Sequence, residues 1–141
     1  MKIAIGSDHA GFQLKEILKK AIKQKEKEVL DFGTDSKESC DYPDIAHPLA
    51  EYVEKNKILG IAICGSGNGI SMALNKHAEI RAAICWNQEL AKLAREHNDA
   101  NVLVLPARFI DTEMAMKCVE TFLATDFEGG RHERRVNKIK I

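Results

Sequence analysis

The sequence predicts an α/β protein, with a five-stranded parallel sheet covered by helices on both faces in one three-layer domain. Short apolar runs alternate with helical periodicities along the whole chain, which is typical of parallel strands joined by crossover helices. A length of 141 residues is enough for one domain with a sizeable core. With 45% hydrophobic and 30% charged residues, the composition is that of an ordinary globular protein.

Five short apolar runs are predicted to be the strands of this sheet. They span residues 2–5, 29–32, 59–64, 80–85 and 102–105. Ligands of such sheets bind beyond the carboxyl ends of the strands. Polar side chains that directly follow a strand are therefore the first candidates for a functional site.

Helical segments lie between these runs. Residues from about 11 onward repeat apolar side chains at helical spacing, and a charge run at 23–28 ends that helix. Pro43 suits the first turn of a second helix, whereas Pro48 within the same pattern predicts a kink or a late helix start. Asn87 and Asp111 are predicted N-caps of two later helices. A basic helical tail at about 129–141 completes a single domain spanning 1–141.

Charge and cysteine content exclude several classes of protein. The formal net charge is zero, so neither nucleic acid nor a membrane surface is an expected partner. The first apolar run is too short for a signal peptide or a membrane span. The four cysteines are irregularly spaced without a C-x-x-C pair, which predicts no zinc site, no disulfides and a reducing cytoplasm.

The segment at 61–71 carries the strongest functional pattern. An isoleucine-rich strand ends at Cys64, and a loop with glycine at every second position leads into a helix. Such a loop can point successive backbone amides at an anion, and amides near a cysteine favour the reactive thiolate. A tight turn beside a buried, inert cysteine is the simpler alternative. A dinucleotide site is not expected, because the spacing is G-x-G-x-G and no acid follows the next strand.

Other polar residues have both structural and functional interpretations. Asp8 and His9 follow the first strand, where Asp8 suits a helix cap and His9 an anion. His97 and Asn98 suit a helix end, although a histidine also moves protons near neutral pH. Arg131 and Arg135, four residues apart on the tail, would share one helix face and suit either solvent or a phosphate.

Five motifs together resemble one family. They are GSDHAGF at 6–12, DYPD at 41–44, CGSGNG at 64–69, EHNDAN at 96–101 and FEGGRH at 127–132. In this order they resemble the type B ribose-5-phosphate isomerases, whose family also includes galactose-6-phosphate isomerase subunits and allose-6-phosphate isomerase. The resemblance implies a Rossmann-like (flavodoxin-like) fold, no metal, no organic cofactor, and a homodimer or a dimer of dimers.

The resemblance also implies a reaction. The expected activity is the aldose–ketose interconversion of D-ribose 5-phosphate and D-ribulose 5-phosphate through a cis-enediolate, in the non-oxidative branch of the pentose phosphate pathway. Cys64 would be the base. Ser66 stands where the family often has threonine, so the hydroxyl is kept. Ile70 stands where another branch has a glutamate base, which puts this chain in the cysteine branch.

The remaining roles carried over by motif concern substrate binding. The enediolate oxygen would be held by the amides of the glycine loop, namely Gly65, Ser66, Gly67, Asn68 and Gly69. His97, with Asp8, would open the sugar ring, Asn98 would bind the sugar, and Tyr42 would form a pocket wall. The phosphate would be held by His9, Arg108, Arg131 and Arg135. His97, Asn98 and Arg108 would reach the site from the partner subunit of the homodimer.

Two alternatives stay open at this point. The substrate of the same reaction could be a six-carbon sugar phosphate, such as allose 6-phosphate or galactose 6-phosphate, because pocket side chains set the chain length. The protein could also be a non-catalytic sugar-phosphate binding protein, since one fold hosts many functions. Cys64 in place as a base argues against the second alternative.

Overall fold

A computed structural model describes residues 1–141 as an alternation of strands and helices. The five strands are β1 (Lys2–Ser7), β2 (Glu28–Asp31), β3 (Leu59–Cys64), β4 (Ala82–Ile84) and β5 (Val102–Pro106). The six α-helices are α1 (Phe12–Gln24), α2 (Tyr42–Asn56), α3 (Asn68–Leu74), α4 (Gln88–Asn98), α5 (Thr112–Ala124) and α6 (Arg131–Asn137). Single turns of 3-10 helix follow β1 and β5.

All neighbouring strands are parallel, and their order is β2-β1-β3-β5-β4. The predicted five-stranded parallel sheet is confirmed. The flavodoxin order is 2-1-3-4-5, so the last two strands are exchanged here. As a result β5, and not β4, lies beside β3, and Cys64 is in register with Pro106.

Two apolar layers pack on the sheet. One face holds α1, α4 and α5 over Ile3, Ile61 and Leu103, and the other holds α2 and α3 over Ala4 and Ala62. Alternate residues of each strand point to opposite faces, so buried strands need apolar side chains at nearly every position. Helices therefore cover both faces, as the sequence predicted.

Three predicted helix caps are confirmed. The Asp8 carboxylate accepts from the amides of Ala10 and Gly11 at 3.0 and 3.2 Å. The Asn87 and Asp111 side chains accept amide hydrogens at the starts of α4 and α5, at 2.9 and 2.7 Å. Each cap satisfies a donor that the first helical turn would leave unpaired.

Some predicted boundaries differ from the structure. The helix α2 starts at Tyr42 and continues past Pro48, so the prediction of a late start is wrong. Pro43 in the first turn supplies a fixed φ that initiates the helix upstream of Pro48. The fourth strand is only three residues long, because Ile80 forms a turn with His77 and the amide of Arg81 donates to the Asn101 side chain.

None of the helices has the length and apolar character needed to cross a lipid bilayer.

Candidate active site

The polar residues of the first, third and fifth strands converge at one edge of the sheet. Because β1, β3 and β5 are adjacent and parallel, the segments that follow them leave the sheet side by side. The amide of Asp8 donates to the Ile63 carbonyl at 3.1 Å, and the amide of Arg108 donates to the Gly65 carbonyl at 3.0 Å. These two hydrogen bonds join three loops into one carboxyl-edge site.

Cys64 ends β3 at this edge, and its side chain is 5% exposed. The thiol belongs to the apolar layer under α2 and α3, next to the start of α3. In the following loop the amides of Gly65, Ser66 and Gly67 donate to no acceptor within the chain. Three successive N–H groups without an internal acceptor, at the end of a strand and the start of a helix, can form a positive concavity for an oxyanion.

Glycine is required at two positions of this loop. Gly67 has a φ of +82°, which side chains rarely adopt. A Cβ on Gly69 would lie 2.5 Å from the ring of Tyr42, so the aromatic ring lies directly against the backbone. Tyr42, the first residue of α2, therefore lies against the glycine loop at the candidate site. The hydroxyl of Ser66 accepts from the amide of Asn68 at 3.2 Å and holds the turn into α3.

Two cationic or polar groups stand beside the loop. A Cβ on Gly65 would lie 3.2 Å from a terminal guanidinium nitrogen of Arg108, so this side chain lies against its own chain's glycine loop. Within one chain this contact places Arg108 beside its own Cys64 loop, whereas the sequence analysis expected Arg108 to reach the site from a partner subunit. The pairing of β5 with β3 brings the arginine to its own loop. His9 is half-buried in the turn after β1.

The other candidate residues lie at the opposite edge of the sheet. The helix α4 begins after the carboxyl end of β4 and runs back about 16 Å, given 11 residues. His97 and Asn98 therefore lie near the amino ends of the strands, where the Asn101 amide donates to the Arg81 carbonyl. The structure does not bring these two residues to Cys64 within one chain.

The basic tail also lies near the amino ends of the strands, beside His97. The helix α6 packs on α4, and Arg131 and Arg135 are both exposed. Their position one helical turn apart is confirmed. The four residues expected to hold a phosphate are thus divided within one chain. His9 and Arg108 stand at one edge of the sheet, and the two tail arginines at the other.

Two residues without an assigned role in the sequence analysis surround His97. The ring of His132 stacks on that of His97, and the carboxylate of Glu128 lies 3.8 Å from Nε2 of His97. These residues are more than 30 positions apart in sequence, and only the packing of α6 on α4 joins them. The one sequence feature that could have indicated this contact was the histidine directly after Arg131 in the motif at 127–132.

Burial gives the cysteines different acidities. Burial raises the pKa of Cys85 to about 12, with a further contribution from Cys118, and raises that of Cys118 to about 11. Both belong to the apolar layer beneath α1, α4 and α5. As thiols with little thiolate at neutral pH they are poor bases. Cys64 is the cysteine that adjoins the free amides. Its thiolate can take a proton from a carbon acid, and the amides can hold the resulting oxyanion.

Comparisons with known proteins agree with this arrangement. Residues 3–139 match the model of the family described as Ribose/Galactose Isomerase. The chain is 45% identical to ribose-5-phosphate isomerase B of Escherichia coli over 139 residues, covering 98% of this chain and 93% of the relative.

Solved structures extend the likeness to the whole fold. A ribose 5-phosphate isomerase from Thermotoga maritima superposes with a TM-score of 0.97 at 52% identity, over 99% of this chain and 97% of that one. Ribose-5-phosphate isomerase B from Mycoplasma genitalium, solved with bound ribulose-5-phosphate, gives 0.94 at 45% identity, over 98% and 93%. Together with the carboxyl-edge site, these matches show that the chain belongs to the ribose/galactose isomerase family.

Proposed function

We propose that this protein is an isomerase that interconverts D-ribose 5-phosphate and D-ribulose 5-phosphate. The observation that carries the proposal is the thiol of Cys64 beside the free amides of Gly65, Ser66 and Gly67. A five-carbon substrate is favoured because the relatives named above carry it in their names and one was solved with bound ribulose-5-phosphate.

In the proposed reaction Cys64 acts as thiolate on the open-chain aldose. It takes the proton from C2, and the electron pair of that C–H bond forms the C1–C2 double bond while O1 becomes an oxyanion. The amides of the glycine loop stabilise O1 in this enediolate. The O2 proton moves to O1, so that the negative charge passes to O2. The thiol then returns its proton to C1 while the C1–C2 double bond gives way to the C2 carbonyl, which leaves the ketose and restores the thiolate. No net oxidant or reductant is needed.

The phosphate is held away from the reacting carbons. Arg108 supplies the positive charge next to the glycine loop, and His9 supplies a further polar contact at the same edge. A grip on the remote phosphate fixes C1 and C2 near the thiol, which lowers the entropic cost of reaching the transition state. Arginine suits this role because its planar fork matches phosphate oxygens.

A homodimer would complete the site. His97, Asn98, Arg131 and Arg135 are separated from Cys64 of the same chain by the length of the strands, about 16 Å for a six-residue strand. A second copy can bring these groups to the carboxyl edge, where His97 would open the sugar ring and Asn98 would bind its hydroxyls. The two tail arginines would then join Arg108 and His9 around the phosphate.

Exposed aromatic residues support an interface beside the glycine loop. Phe109 is 74% exposed and Trp86 is 55% exposed, and both line a groove that includes Ser66 and Asn68. Large aromatic side chains are enriched in protein interfaces, where they lose their contact with water.

All four cysteines are free thiols, which suits a reducing compartment such as the cytoplasm and the non-oxidative pentose phosphate branch.

The test is an assay of the purified protein with each sugar phosphate, followed by isotope exchange in deuterium oxide. We expect interconversion in both directions and uptake of solvent deuterium into the carbon-bound position. Allose 6-phosphate is the matched control, and its kcat/KM should be lower. Absence of interconversion at high enzyme concentration would disprove the proposal. Conversion without deuterium uptake would mean either hydride transfer or return of the same proton by a thiol shielded from solvent.

A further inference from the structure

His132 is a buried histidine that the mechanism above does not use. Its side chain is 7% exposed, and it lies in the first turn of α6. The imidazole ring stacks on that of His97, with ring centroids 4.1 Å apart and planes 12° from parallel. Such a stack fixes the plane of the more exposed His97 ring without using either of its nitrogens.

The segment before α6 is tied to the end of α4. The amide of Glu128 donates to the Glu96 carbonyl at 3.1 Å, and the amide of His132 donates to the Gly129 carbonyl at 3.1 Å. The Glu128 carboxylate lies 3.8 Å from Nε2 of His97. The hydrogen bond at Glu128 keeps this segment against the end of α4, and the stacked ring of His132 restricts the rotation of His97 about χ1 and χ2.

These three side chains do not have the geometry of a metal site, although their ligand atoms lie within 4.8 Å of one another. A metal bound to histidine lies in the plane of the imidazole ring, along the nitrogen lone pair. Two stacked rings with centroids 4.1 Å apart and planes only 12° from parallel have planes that do not meet near the nitrogens. An ion shared by the two rings would lie outside the plane of at least one of them. The arrangement supports stacking instead.

We infer that His132 is a positioning residue that holds the His97 imidazole in the orientation needed to open the furanose ring of ribose 5-phosphate. The inference rests on the proposed function. It assigns to His132 no contact with the substrate, because its ring is buried behind that of His97.

The pKa of His132 agrees with the division of roles between His132 and His97. Burial lowers the pKa of His132, and the nearby His97 and Arg131 lower it further. A ring that stays neutral serves as a flat support, while proton transfer is left to His97. The positive charge of Arg131 therefore has a second effect besides any contact with phosphate.

Ring opening can be separated from proton transfer at carbon by the choice of substrate. In ribose 5-phosphate the C4 oxygen is bonded to C1. Opening the ring removes the proton from O1, breaks the C1–O4 bond and places a proton on O4. Ribulose 5-phosphate has no five-membered ring to open, because its C5 oxygen carries the phosphate. Exchange of its C1 hydrogen with solvent therefore requires Cys64 and the amides but no ring opening.

The experiment uses the full-length protein and compares two rates for each variant. The first is the conversion of ribose 5-phosphate, and the second is the uptake of deuterium from the solvent at C1 of ribulose 5-phosphate. We expect His132→Ala to lower kcat for conversion by about tenfold or more, while the rate of exchange changes by less than about threefold. His132→Phe keeps a flat ring in the stack and should restore most of the conversion.

Matched variants identify each possible failure. His97→Ala should show the same separation of the two rates in a larger degree, and Cys64→Ala should lose both. His47→Ala, on the exposed face of α2 where His47 contacts His77, should change neither rate. Circular dichroism confirms that each variant is folded.

Three outcomes would overturn the inference about His132. They are an equal loss of both rates in His132→Ala, no loss in either, and a His132→Phe variant as impaired as His132→Ala. A wild-type protein that carries out neither reaction would disprove the proposed function itself. The two failures are therefore distinguishable.

Discussion

The backbone amide of Cys40 lies 3.2 Å from Nδ1 of His9 and donates a hydrogen bond to it. A backbone N–H can only donate, so Nδ1 must accept and the ring proton must sit on Nε2. With this bond formed, Nε2–H is the ring group of His9 that remains available to donate a hydrogen bond. The positive charge that a phosphate needs at this edge is then supplied by Arg108.

Replacing Cys64 tests the identity of the base. Cys64→Ala should lower kcat by roughly a hundred- to ten-thousandfold, the usual range for loss of a general base, with little change in phosphate binding. Cys118→Ala is the matched control, and it should keep its activity while losing about 1 kcal/mol of unfolding free energy to a small cavity. Steady-state kinetics and urea unfolding measure the two effects. A Cys64→Ala protein with most of its activity would mean that another residue is the base.

Thiol labelling tests the burial of the other cysteines. With pKa values of about 12 and 11, Cys85 and Cys118 expose almost no thiolate at pH 8. Iodoacetamide should leave both unmodified in the native protein, while the half-buried Cys40 is labelled. Mass spectrometry of peptides locates the labels, and labelling in denaturant should reach all four cysteines. Rapid labelling of Cys85 in the native state would contradict its burial.

Subunit mixing tests the shared site. Cys64→Ala and His97→Ala should each be nearly inactive in converting ribose 5-phosphate, but a mixed dimer would contain one site with both residues intact. Equal random exchange makes half of the dimers mixed, so activity should return to about a quarter of the wild-type value. Mixing without subunit exchange is the control. If exchange restores nothing, His97 does not act across an interface.

A methyl group on Gly69 should close the site. The Cβ of Gly69→Ala would lie 2.5 Å from the Tyr42 ring, which must then move away. We expect kcat/KM to fall by about tenfold or more, since the loop amides lose their orientation. The double variant with Tyr42→Ser provides space for the methyl group, so it should be more active than Gly69→Ala alone. A Gly69→Ala protein with normal kinetics would show that this contact is unimportant.

Acid stability tests the ion pair beneath α1. Burial raises the pKa of Asp31, but hydrogen bonds from Lys15 and Lys19 outweigh burial and bring it below its ordinary value of 3.8. The carboxylate therefore stabilises the fold above that value, and this stabilisation is lost as the pH falls through the lower, folded-state pKa. Asp31→Asn leaves the fully buried Lys15 without its closest partner, at 2.6 Å in the wild type.

The expected cost of Asp31→Asn is on the order of 3 kcal/mol of unfolding free energy at pH 7. Urea unfolding between pH 2 and pH 7 should show the wild type and the variant converging as the pH falls. Glu120→Gln removes an exposed partner of Lys25 and is the control, with an expected effect below about 1 kcal/mol. A constant difference between wild type and Asp31→Asn over the whole pH range would contradict the lowered pKa.

The features that were predictable from the sequence are local. Asp8, Asn87 and Asp111 were identified as caps because a cap depends on the next three residues alone. The position of Arg108 depends on β5 inserting between β3 and β4, a pairing that no short pattern encodes. The stack of His132 on His97 likewise requires α6 to return across α4. Candidate site residues brought together by a single loop were therefore predictable, and those joined by packing of distant elements were not.

The two strands at the borders of the sheet are also its shortest, with four residues in β2 and three in β4. A short border offers few unpaired backbone groups to a strand of another molecule, and β2 begins and ends with the acidic residues Glu28 and Asp31. Two copies are therefore poorly suited to join by extending one sheet into the next. In the proposed homodimer, association through helices and loops would leave the carboxyl edge of each sheet open to its partner. The short borders also protect the folded protein from strand-by-strand aggregation.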